Sequence, residues 1–86
     1  LKFVESSIGL ERQPDEGRFE YMLRLEVAKK AGVVVPPRGE DEMLIDYRSR
    51  LEVSAEAKVV VPIRGKDEIR IDYYNRLEIT RQTGLV

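Results

Sequence analysis

Residues 33–53, VVVPPRGEDEMLIDYRSRLEV, return as residues 59–79, VVVPIRGKDEIRIDYYNRLEI, with fourteen of twenty-one positions identical. Moving the same 26-residue frame upstream aligns Arg12, Asp15, Glu16, Tyr21, Arg24, Leu25, Glu26 and Val27 with their counterparts, which defines a more diverged first copy. The copies cover about 7–32, 33–58 and 59–84 within a single domain, 1–86, and the frame restarts at Leu85 and Val86. A repeat of this length marks a fold in which each unit buries its apolar face against its neighbours. The near-identity of the second and third copies fits a recent duplication or a designed repeat protein.

Within each copy the apolar residues alternate. Met43, Ile45, Tyr47, Ser49, Leu51 and Val53 fall on one row and Glu42, Leu44, Asp46, Arg48, Arg50 and Glu52 on the other, the period-two pattern of a half-buried strand. The β-branched runs 33–36 and 59–63 suit shorter strands packed on both faces. Pro36 and Pro62 end them, and Gly39 and Gly65 supply the positive φ of a hairpin turn. Residues 54–57 form the polar connection, and Ser49 and Asn75 mark a bend. The expected fold is therefore all-β: an antiparallel meander or small barrel of three repeats, each a short strand, a Gly turn and a long bent strand. A parallel solenoid is disfavoured, because it would stack Arg24 on Arg50 on Arg76 and Glu26 on Glu52 on Glu78.

Composition narrows the chemistry. Fifteen Lys and Arg against sixteen Asp and Glu leave a net charge of −1, too little field to gather a nucleic acid or an anionic membrane. The chain contains no Cys and no His, so thiolate sites, disulfides and the commonest general base are all missing. No cofactor, no metal and no catalytic residue is expected, and the chain reads as a non-enzyme. It also reads as soluble, with no compartment indicated. Its opening on Leu1 suits a processed or excised piece.

The candidate binding residues are Arg38 and Arg64, beside turn amides where an anion could sit, and Tyr47 and Tyr73, inward-facing beside Ser49 and Asn75. Ion pairing with Glu40, Asp41, Glu42, Asp67 and Glu68 is the plainer account of the arginines, and core packing that of the tyrosines. Asp46 and Asp72, with Glu20 in register, are read as ion-pairing partners of strand arginines rather than as a metal cluster. The expected function is structural: a β-repeat protein that self-assembles through its terminal strands, 1–4 and 84–86, into a homo-oligomer or filament. The alternative is a small module for an anion or small ligand.

Overall fold

The computed structural model describes residues 10–86, and over them the chain is all-α. Helices α1 (Arg18–Ala31), α2 (Leu44–Ala57) and α3 (Arg70–Thr83) begin one 26-residue period apart and are each 14 residues long. Among the described residues there is no strand, so the all-β meander or barrel is overturned. The alternating segment is a helix, and the supposed polar connection 54–57 is its last turn.

The reason lies in which residues are buried. In α2 these are Asp46, Tyr47, Arg50, Leu51, Val53 and Ser54. Apart from Val53 they recur at the three- and four-residue spacing of one helix face. Asp46 and Arg50 are charged, so a hydrophobicity pattern assigns them to solvent. Met43 and Ile45 belong to the supposed buried row but are exposed. The alternation arose from exposed apolar side chains counted as core and from buried charges counted as surface.

The helices pack in chain order and run in the same sense. The Tyr47 hydroxyl donates to the Glu20 carbonyl at 2.6 Å, first turn to first turn. Arg70 pairs with Asp46 at 3.1 Å near the starts of α3 and α2, and Arg81 reaches Glu52 and Glu56 towards their ends. Parallel helices require a return path. Residues 33–43 supply it, running without helix or strand to residue 39 and then turning into α2; at about 3.3 Å per residue the part before the turn is long enough to span a helix of about 21 Å.

These extended segments are not doubly packed strands. Val33 and Val35 are buried while Val34 is exposed, and Val61 is buried while Val60 is exposed. The buried valines fill the seams between helices. Val33 and Val35 join Val27, Tyr47 and Leu51 between α1 and α2. Val61 joins Val53, Tyr73 and Leu77 between α2 and α3. Leu10, Tyr21 and Ala28 form a third cluster under α1.

Gly39 and Gly65 do not have positive φ; among the described residues that conformation belongs to Gly32, Lys58 and Gly84. These three occupy equivalent positions, each ending its helix in the left-handed region with its N–H donated to Ala28, Ser54 or Thr80. A side chain in that conformation costs roughly 1 kcal/mol, which glycine avoids. Lys58→Gly should therefore raise the melting temperature by several degrees, an effect readable in a circular-dichroism melt. An unchanged or lower value would show that chain entropy outweighs the relieved conformation.

Candidate interaction surface

Seven residues recur in every copy; in the second unit they are Arg38, Asp41, Glu42, Tyr47, Arg50, Leu51 and Glu52. Most of them build the unit itself. Residues 39–42 turn into the helix, with the Glu42 N–H donated to the Gly39 carbonyl at 3.1 Å. The Glu42 carboxylate accepts the Gly39 N–H at 2.9 Å and grips Arg50, which donates through two nitrogens at 2.9 and 2.7 Å. Arg50 lies over the Tyr47 ring, 5.2 Å from its centroid, and its other N–H groups point to the carbonyls of Pro36 and Pro37. The same carboxylate–guanidinium fork joins Glu16 to Arg24 and Glu68 to Arg76. Burial raises the pKa of Glu16, but the Arg24 hydrogen bonds, the Gln13 N–H and the charges of Arg24 and Arg12 outweigh it and leave the value lowered. A column of arginines is thus tolerated because each one is answered within its own unit.

The structure separates the sequence-derived binding residues. Arg38 folds back on its own turn, donating to the Glu42 carbonyl at 2.8 Å, and pairs with Glu20 at 3.0 Å. Arg64 donates to the Glu68 carbonyl at 2.9 Å and lies 3.8 Å from Asp46. Tyr47 and Tyr73 are fully buried in different seams. Tyr73 packs beneath Arg76 and its hydroxyl has no hydrogen-bond partner among the described residues; burial pushes its pKa up to about 12. Ser49 and Asn75 sit mid-helix. Asp46 is buried and accepts from Tyr74 and Arg70. No group of three or more acidic side chains among the described residues is arranged to hold a metal. Of the terminal segments, 1–4 lies outside the described residues, while Leu85 and Val86 are exposed.

Equivalent positions in the three helices reveal a surface that no sequence motif marks. Val27 is 5 % exposed and Val53 is 1 % exposed, because the following unit's valines cover them; Ile79, in the same place on α3, is 59 % exposed. The arginine side chains follow the same trend: Arg24 and Arg50 are 3 % and 0 % exposed, Arg76 29 %. Beside Ile79 runs an open groove of about 450 Å3, lined by Arg76, Thr80, Leu85 and Val86 among others. The outer face of α3 therefore repeats the faces that α1 and α2 bury, with Ile79 exposed among the described residues although the neighbouring Thr80 is buried. The sequence signal was the apolar residue recurring at 27, 53 and 79.

A second apolar feature lies on the helical layer itself. Phe19, Ile45 and Ile71 occupy equivalent first-turn positions and are all exposed. Next to this row, a wider groove between α1 and α2 is floored by Leu23, Val27, Leu51 and Ala55.

The half-buried Glu68–Arg76 pair has a pH signature. Hydrogen bonds from Arg76 and from the Gly65 N–H lower the Glu68 pKa from 4.5 to about 2. The folded value lies below the unfolded one, so the pair stabilises the fold above about pH 4.5 and loses that contribution as pH falls towards 2. Glu68→Gln should flatten the dependence of melting temperature on pH within that window. A slope identical to that of the parent chain would assign the acid sensitivity elsewhere.

Comparison with protein-family models, curated proteins and solved structures finds no match to this chain.

Proposed function

We propose that this chain is an α-helical repeat module for protein interaction, and that the outer face of α3 is a packing face of the same kind as those of α1 and α2. The supporting observation is the contrast between Val27 and Val53, buried by a neighbouring unit, and Ile79, exposed at the same position. A face that is a packed seam twice in one molecule has the shape and apolarity to be one a third time. Self-assembly through paired terminal strands is withdrawn, since the described residues form no sheet whose edge could be extended. Binding rather than catalysis fits a chain without His or Cys, and a net charge of −1 favours a protein partner over a nucleic acid.

The test is to supply a cover. A fourth unit is made by appending the sequence of residues 61–84 after Val86, so that Leu85 and Val86 take the places of Val59 and Val60. If the face is a competent seam, the longer chain melts at a higher temperature, and the α3 amides around Thr80 exchange with solvent more slowly. Unchanged melting together with unchanged exchange in α3 would remove the proposal.

A further inference from the structure

The two seams of the helical layer differ on their solvent side. Between α2 and α3, side chains of α3 cross over: the Tyr74 hydroxyl donates to Asp46 at 2.7 Å, and Arg81 reaches Glu52 and Glu56 at 3.3 and 3.1 Å. Arg48 and Ala55 hold those places on α2. Alanine is too short to cross to α1, and Arg48 makes no hydrogen bond or ion pair among the described residues. The α1–α2 seam is therefore left as an open groove of about 850 Å3, walled by two successive helices.

The walls set the chemistry of an occupant. Val27 and Leu51 lie buried at the floor, with Leu23 and Ala55 half-buried above them. Both walls are helices whose mid-length N–H and C=O groups are already paired within the helix, so an extended segment would bury its backbone polar groups without partners. A helix brings a satisfied backbone and needs only an apolar stripe. The rim adds a charge requirement. Arg24, Arg50, Arg70, Arg76 and Arg81 each hold a carboxylate. Arg48 on the rim holds none, since Glu52, one turn further on, is taken by Arg81.

The outer edge of α1 meets both requirements. It carries Phe19 and Met22, both exposed, and one turn on Glu26, an exposed carboxylate with no ion-pair partner among the described residues. Deepening the interaction reading above and resting on it, we infer that the groove binds a second copy of this chain, with α1 of each copy lying in the α1–α2 groove of the other. Phe19 and Met22 seat over the partner's Leu23 and Ala55, and Glu26 pairs with the partner's Arg48. The exchange is reciprocal, as a twofold axis requires, so every contact is made twice. Two helix widths over a length of about 21 Å make a face of roughly 400 Å2 per copy. That is half of the roughly 800 Å2 of a standard interface, so the dimer is weak and reversible.

Sedimentation equilibrium of the intact 86-residue chain should show a monomer–dimer equilibrium with a Kd between about 10 μM and 1 mM. Glu26→Arg and Arg48→Glu should each weaken association at least about tenfold, because each sets like charges face to face twice in the dimer. Both positions are exposed and unpaired within the chain, so the two variants should keep the parent's melting curve. Mixed together they should associate again, since opposite charges then meet at both sites. Arg48→Tyr with Ala55→Arg, which gives α2 the crossing side chains of α3, should fold and remain monomeric. A parent chain still monomeric at about 1 mM, association indifferent to the single charge reversals, or mixing that restores nothing would each overturn the inference. So would association that Ile79→Asn abolishes and the charge reversals do not. A four-unit chain that gains stability while the parent stays monomeric removes this inference and leaves the interaction reading standing; failure of both experiments removes both.

Discussion

Arg50→Met is expected to cost about 3–5 kcal/mol, the range for breaking a buried ion pair from one side. A domain of this size has a stability of roughly 4–13 kcal/mol, so the variant should be largely unfolded at a urea concentration where the parent remains folded. The cost comes less from the lost attraction than from what stays behind. Glu42 keeps its charge in a buried site with only the Gly39 N–H to satisfy it, and the carbonyls of Pro36 and Pro37 lose their donors. Removing the stranded charge should therefore restore much of the loss, and the double variant Glu42→Gln with Arg50→Met should be more stable than Arg50→Met alone. Strict additivity of the two substitutions in urea unfolding would refute this account. The equivalent Arg76→Met should cost about 1 kcal/mol or less, since its pair with Glu68 is partly in water.

The same pair explains what could be read from the sequence and what could not. The repeat and its length are plain in the letters, because copies of one unit share one set of contacts. The secondary structure was misread at residues such as Asp46 and Arg50, whose burial depends on partners far along the chain. Arg50 is fully buried because Glu42, eight residues earlier, turns back to meet it, and hydropathy does not register that. Phe19, Ile45 and Ile71 misled in the opposite direction, as apolar side chains that are exposed. Gly39 and Gly65 looked like hairpin glycines, whereas the positions that need left-handed backbone are Gly32, Lys58 and Gly84, one of them concealed by a lysine. The objection to stacked arginines was sound for bare charges; it failed because each arginine brings its own carboxylate. The interaction surface was legible only through register, by asking what covers positions 27, 53 and 79 in turn.

That register supports the sharpest remaining prediction, in which one substitution at two equivalent positions gives opposite results. Val53→Asn places an amide in the seam formed by Val61, Tyr73 and Leu77. It forfeits about 1.5–3 kcal/mol of apolar burial and leaves polar atoms unpaired at about 1–3 kcal/mol, a large fraction of the stability of a small domain. Ile79→Asn makes the same kind of change on a side chain that is 59 % exposed, and surface changes of this type stay within about 0.5 kcal/mol. Chemical denaturation of the two variants should therefore differ by several kcal/mol. In the chain extended by a fourth unit the difference should nearly vanish, because the covering segment then buries residue 79 as residues 59–62 bury Val53. If Ile79→Asn remains harmless in the extended chain, the α3 face is not the third member of the series. If it becomes as damaging as Val53→Asn, the α3 face is the third member of the series.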